Sequence, residues 1–175
     1  MRPSTVVAAG LAASLGAIVL QGPGVSGGRS GGGSAAEADA AACAPIAAML
    51  DSFHAAAANA DEERYFGHFA PSGVFLGTDP TERWTVAEFR AWARPYFAGG
   101  EAWTYHAIER HIDIAPGGEC AWFDEVVRNA KYGDLRGTGV VLLLDGEWKI
   151  AQYNLTFQIP NDDAAAVLEI ITHED

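Results

Sequence analysis

Basic residues are scarce in this chain. Eleven Lys and Arg stand against 23 Asp and Glu, giving a formal charge of −12 and a pI of about 4.7. Nucleic-acid binding depends on clustered Lys and Arg that neutralise phosphates, and an anionic membrane surface makes the same demand, so neither partner is expected. The acidic balance reads as a solubilising charge. Cysteine is nearly absent. Cys43 and Cys120 do not make a disulfide framework, and without a matching histidine cluster they do not make a zinc site. His54, His68 and His173 have no metal-like spacing with other ligands. No internal repeat and no phosphate-binding glycine fingerprint occurs, and no metal or cofactor is expected.

What is present is enough for one domain plus extras: 175 residues, 49% of them hydrophobic. Arg2 precedes Val6 to Leu20, an uninterrupted run of apolar and small residues. Such a run is too short for a confident transmembrane helix and fits a signal-peptide core. Gln21 to Ser34 is rich in Gly and Ser and reads as a flexible linker. The expected organisation is a signal peptide over 1–27, a Gly/Ser/Ala-rich linker over 28–40 and a domain over 41–175, in an exported protein. Cleavage after Gly27 and cleavage after the Ala36-Glu37-Ala38 triplet both remain open. A retained signal anchor is the alternative and the only membrane attachment expected. In an exported chain Cys43 and Cys120 are free to pair, provided they meet in space.

Ile46, Met49, Leu50, Phe53 and Ala57 recur at helical spacing and predict a first helix over Ala38–Ala60. A second, short helix begins at Asp61 and is ended by Pro71–Gly73. Val74–Leu76 follows as a short strand, and Gly77–Arg83 as a loop. Thr85, with Glu88 three residues on, signals a capped third helix running to about Arg94, where Pro95 interrupts it. Trp103–Ile114 and Cys120–Arg128 read as strands. Asp145-Gly146 marks a tight turn between two long strands, and Asn161 is an N-cap for a last helix. Helices followed by consecutive long strands indicate an α+β fold with helices on one face of an antiparallel sheet.

Several short stretches resemble the SnoaL-like branch of the nuclear transport factor 2-like superfamily. They are Asn59-Ala60-Asp61, Phe69-Ala70-Pro71 before Val74-Phe75-Leu76, Arg136-Gly137-Thr138-Gly139, and Asp145-Gly146 followed by Trp148-Lys149-Ile150-Ala151-Gln152-Tyr153-Asn154. The resemblance covers about Ala44 to Asp163. It implies a cone-shaped, curved antiparallel sheet wrapped around N-terminal helices, with the cone interior as the usual site and a homodimer common. It does not select a function, because the same fold hosts isomerases, cyclases, dehydratases, hydrolases and binding modules. Ketosteroid isomerases use one carboxylate base and two acidic donors on the enolate oxygen. By resemblance those donor positions fall on Phe53 and Val140, which cannot donate, while the base falls near Asp79. That particular chemistry is therefore excluded unless other residues supply the donors.

The candidate catalytic residues are Asp79 and His111. Asp79 is a general base in one reading and an ordinary Asp-Pro turn initiator in the other. His111 is an acid/base partner to Asp124 or Glu125, or else a cross-strand charge pair. The candidate ligand contacts are Trp84, Trp103, Tyr105, Asp124, Gln152 and Asn154. Gln152 and Asn154 share a strand face with Trp148, the face that relatives tend to turn inward. Tyr153 and Phe157 then suit a homodimer interface through the sheet face. A one-residue slip would exchange the two faces. The expected function is the binding of a small, largely apolar molecule. The alternatives are proton transfer on a carbonyl substrate and a scaffold role without ligand.

Overall fold

The computed structural model describes residues 35–100 and 102–172. The signal-peptide and most of the linker expectation lie outside them. Helix α1 (Ala35–Ala58) begins inside the stretch expected to be linker. It is followed by α2 (Glu62–Gly67), β1 (Phe69–Leu76), β2 (Arg83–Thr85), α3 (Val86–Ala98), β3 (His106–Ile114), β4 (Cys120–Asn129), β5 (Gly133–Leu144), β6 (Glu147–Phe157), a 3-10 turn (Asn161–Asp163) and α4 (Ala164–Thr172). The six strands form one sheet in the order β2-β1-β6-β5-β4-β3.

Local chemistry sets most of these boundaries. Asp61 caps α2 by accepting from the Arg64 N–H at 3.1 Å. Thr85 and Glu88 form a reciprocal capping box on α3. At the β5–β6 turn Asp145 and Gly146 have φ of +52° and +82°. That is the pair of left-handed residues a two-residue hairpin requires. Pro95 does not end α3. Phe89, Ala93 and Phe97 are buried at successive i+4 positions across it, and their burial outweighs the cost of about 3 kcal/mol of a helical proline. Asn161 does not cap α4; it opens the 3-10 turn, which has no side-chain cap.

The sheet departs from pure antiparallel pairing at one place, where β1 runs parallel to β6. Only strands joined by a tight hairpin must be antiparallel, and these two are far apart in the chain. β1 is also longer than expected. Pro71 and Ser72 bulge outward from it, so the strand survives a proline in its middle.

Helices α1, α2 and α3 pack against the sheet and share one core with it. By length and composition α1 alone among the described helices reaches that of a membrane span. Its apolar side is nevertheless spent on the domain, with Ile46, Leu50, Phe53, Ala56 and Ala57 all in the core. Cys43 and Cys120 are both free thiols. The Cys43 sulfur lies 3.6 Å from the Ile112 carbonyl, which docks α1 on β3.

Two bulges decide which side chains face the helices. In the β5–β6 ladder Val140 pairs with Gln152 and Val141 with Ile150, so Ala151 has no partner. In the β3–β4 ladder Ala107 pairs with Val127 and Glu109 with Val126, so Ile108 has none. Each extra residue reverses the alternation that follows it. The inward face of β6 therefore runs Ile150, Tyr153, Leu155. The expectation that Gln152 and Asn154 point inward, with Tyr153 and Phe157 outward, is corrected by this bulge.

Inward-facing β5 carries glycines where the space is taken. A Cβ at Gly137 would collide with the Tyr153 hydroxyl and approach Glu125; a Cβ at Gly139 would meet the Phe123 ring at 2.7 Å and the Gln152 carbonyl closer still. Backbone cannot yield as a flexible side chain can. Gly139→Ala is therefore expected to cost about 3 kcal/mol and to lower the Tm by roughly 10 °C in a thermal melt.

Candidate functional site

Between the helices and the sheet lies a cavity of about 570 Å3. One wall is a run of nearly parallel aromatic rings. Phe75 stacks on Phe89 at 4.0 Å and 13°, and Phe89 stacks on Trp84 at 5.5 Å and on Trp103 at 5.7 Å. The register explains the run, since Trp84, Phe75 and Tyr153 are successive cross-strand neighbours on β2, β1 and β6. Tyr65 and Tyr105 add phenols to the lining. Burial raises the pKa of both, with Trp103 partly opposing the rise at Tyr65. Both are neutral hydrogen-bond donors near neutral pH.

The floor is polar. Glu125 on β4 is 0% exposed. Its register places it between Arg110 on β3 and Gly137 on β5. His54 Nε2 on α1 lies 2.7 Å from Glu125 Oε1, and the Tyr153 hydroxyl donates to the same oxygen at 2.9 Å. Arg110 Nε donates to Oε2 at 2.8 Å. Arg110 Nη1 then reaches Asp51 and the Ala47 carbonyl, at 2.8 and 3.2 Å, tying the group to α1. Gly137 is what lets Tyr153 cross β5 to reach the carboxylate.

Burial alone would raise the Glu125 pKa. The hydrogen bond and charge of His54 and the charge of Arg110 outweigh burial and hold it below the ordinary value. Tyr153 moves the opposite way, raised by burial and then by the adjacent Glu125 charge. Glu125 is thus an ionised, acceptor-only group, and a neutral His54 places its proton on Nε2. His54 lines the cavity, and its Nδ1 has no partner among the described residues.

The structure brings together only some of the residues expected from sequence. Trp84, Trp103 and Tyr105 line the cavity. Asp124, Gln152 and Asn154 belong to the opposite face of the sheet from Glu125, Tyr153 and Leu155. His111 faces Asp124 in register, but on that outer face, exposed and bonded to Glu109 at 2.9 Å. The Glu109 bond, followed by the charge of Asp124, raises its pKa. Asp79 is exposed, and its Oδ1 accepts from the hydroxyl and the N–H of Thr81. Those bonds lower its pKa, and the residue closes a surface turn outside the cavity lining. Sequence reasoning does not place His54, Arg110 or Tyr153 in this site, and it offers Glu125 only as an alternative partner for His111, which lies on the other face of the sheet. One signal for Glu125 was available: it continues the apolar series of Ala121 and Phe123 at a spacing of two and is followed by Val127.

Comparison with known proteins agrees with this architecture. Residues 46–160 match the model of the SnoaL-like domain, and the chain belongs to that family. Among solved structures it is similar to a nuclear transport factor 2-like protein of unknown function from Pseudomonas putida KT2440 (TM-score 0.58, 13% identity, 74% of this chain and 93% of that one). It is also similar to a proposed scytalone dehydratase from Novosphingobium aromaticivorans (TM-score 0.60, 15% identity, 71% and 89%). A proposed aromatic ring hydroxylase from the same organism matches with TM-score 0.59 and 16% identity, over 69% and 92%. At these identities the likeness shows the fold. No curated protein matches the sequence.

Replacing the buried carboxylate tests the network. Glu125→Gln takes from Arg110 its buried carboxylate partner, leaving only the exposed Asp51, and is expected to cost about 3 kcal/mol at neutral pH. Because the folded-state pKa of Glu125 is depressed, its ionic contribution is present above the ordinary glutamate value of 4.5 and is lost as the pH falls below it. Urea melts of the wild type and Glu125→Gln should therefore converge below about pH 4.5 and stay separated above it.

Proposed function

We propose that the domain binds a small, flat, largely apolar carbonyl compound in the cavity and transfers a proton on it, with His54 as the acid/base. The observation that carries this reading is a histidine on the cavity wall whose one ring nitrogen is held by a buried, ionised carboxylate while the other is unpartnered. Glu125 fixes the tautomer and stabilises the imidazolium when it forms. His54 Nδ1 takes a proton from the carbon beside the carbonyl. The electron pair of the broken C–H bond passes to the carbonyl oxygen, where the phenols of Tyr65 and Tyr105 act as donors. Return of the proton to carbon, or loss of a leaving group, gives isomerisation or dehydration. The stacked rings of Phe75, Phe89, Trp84 and Trp103 suit a planar occupant. A dehydratase and a ring hydroxylase appear among the names of the structural relatives, but the reading rests on the residues of this chain.

The apolar run at the N-terminus supports export as part of the same proposal. The intact mass of the mature protein isolated from its host should lack at least the first 27 residues if the segment is a cleaved signal, and should include them if it is an anchor. A homodimer, if formed, would use the outer sheet face around Trp122, which is half-exposed there.

The catalytic reading is tested with 2-tetralone, a flat apolar ketone with exchangeable hydrogens beside its carbonyl. The wild type should accelerate loss of those hydrogens to deuterated water, followed by NMR. His54→Gln should reduce the acceleration at least about 100-fold while still binding the ketone. Equal exchange in the two proteins would leave the cavity as a binding site without proton transfer.

A further inference from the structure

Helix α4 is apolar and stands uncovered. Leu168, Ile170 and Ile171 are 60%, 68% and 64% exposed. No residue of α4 lines the cavity, and the helix lies beyond the residues 46–160 that match the family model.

A second uncovered apolar surface surrounds the mouth of the cavity. Trp92 and Tyr96 on α3, Tyr132 before β5 and Phe157 at the end of β6 all line the cavity, yet each remains 44–48% exposed. Tyr132 and Phe157 touch edge to face at 5.7 Å. This surface is continuous with the candidate site, and exposed apolar surface of this kind marks a place that something covers.

The two surfaces belong to neighbouring parts of the chain. Residues 158–163 join Phe157 to α4. Residues 158–160 reach about 10 Å when extended and the 3-10 turn adds about 6 Å, while a nine-residue helix is about 13 Å long, so the helix can be laid across the mouth without disturbing the sheet. Polarity is matched as well: Val167, Leu168, Ile170 and Ile171 share one side of α4, and Glu169 lies on the opposite side, which stays in water when the apolar side meets the rim.

We propose that α4 is a lid that folds onto the rim formed by Trp92, Tyr96, Tyr132 and Phe157 and closes the cavity over its occupant. This inference rests on the cavity as a binding site and not on proton transfer. Closure buries the exposed aliphatic residues of α4 against the rim and removes the remaining water from the cavity side of His54, where electrostatic interactions then become stronger. The occupant of the rim is the chain's own helix, not a second copy.

Photocrosslinking tests the closure without a ligand. A p-benzoylphenylalanine placed at Ile171 in the full chain should, on irradiation, form links within one chain to Trp92, Tyr96, Tyr132 or Phe157, mapped by mass spectrometry. Links confined to α4 itself, to the outer sheet face at Trp122, or to a second chain would overturn the proposal. The same pattern is expected in His54→Gln, so failure of the catalytic reading leaves this test intact. A second measurement uses 2-naphthol as a fluorescent occupant. The double variant Leu168→Asp/Ile171→Asp changes only residues exposed in the open form, so its fold should survive. It should release 2-naphthol about tenfold faster, roughly what burial of one aliphatic side chain contributes. Unchanged release would show that α4 does not close over the cavity.

Discussion

The carboxylate of Glu125 is the constraint on which the rest of the domain depends. Removing an ion from water costs several kcal/mol, recovered only when its lone pairs are met with good geometry. Here the donors come from three other elements: His54 on α1, Arg110 on β3 and Tyr153 on β6. The requirement propagates further. Arg110 extends to Asp51 and the Ala47 carbonyl, so the same charge that satisfies Glu125 also fastens the sheet to the helix. Gly137 stays without a side chain so that Tyr153 can pass. Four elements are thus positioned by one buried group, and the histidine facing the cavity is oriented as a consequence.

How much of this was legible in the sequence divides along the range of the interactions. The hairpin turn at Asp145-Gly146 and the capping box at Thr85 and Glu88 are decided within a few residues, and they stand as expected. So does the apolar face of α1. The interior of the sheet is decided between strands. A bulge costs one unpaired residue and leaves no mark in composition, yet the bulges at Ala151 and Ile108 each reverse every side chain beyond them. Counting by twos from Trp148 therefore turned Gln152 and Asn154 inward and missed Tyr153. An unbroken alternation along Trp103–Ile114 would likewise put Tyr105 and Arg110 on opposite faces, and the bulge at Ile108 puts both toward the helices.

The proline readings failed for a related reason. Pro95 and Pro71 are local signals for stopping an element, and both lie inside one. In α3 the buried series Phe89, Ala93 and Phe97 continues through the proline. In β1 the offending residues bulge outward while Phe75 keeps its place beside Tyr153. Tertiary burial outweighs local preference in each case, and it does so at positions that build the aromatic wall.

The same distinction between local and converging interactions explains why the proposed acid/base role is given to His54 rather than to Asp79. A carboxylate on an exposed turn, hydrogen-bonded by Thr81, has its charged form stabilised and its pKa lowered. It is a weak base spent on the turn. His54 is held by a partner that is itself forced to remain charged inside the protein, and it borders the cavity where an apolar compound would lie. General base chemistry near neutral pH needs a group that can both accept and return a proton. Imidazole does so at that pH, whereas an exposed carboxylate of lowered pKa does not. The proposed proton transfer would therefore take place where burial has been most costly, at the junction of α1 with the sheet.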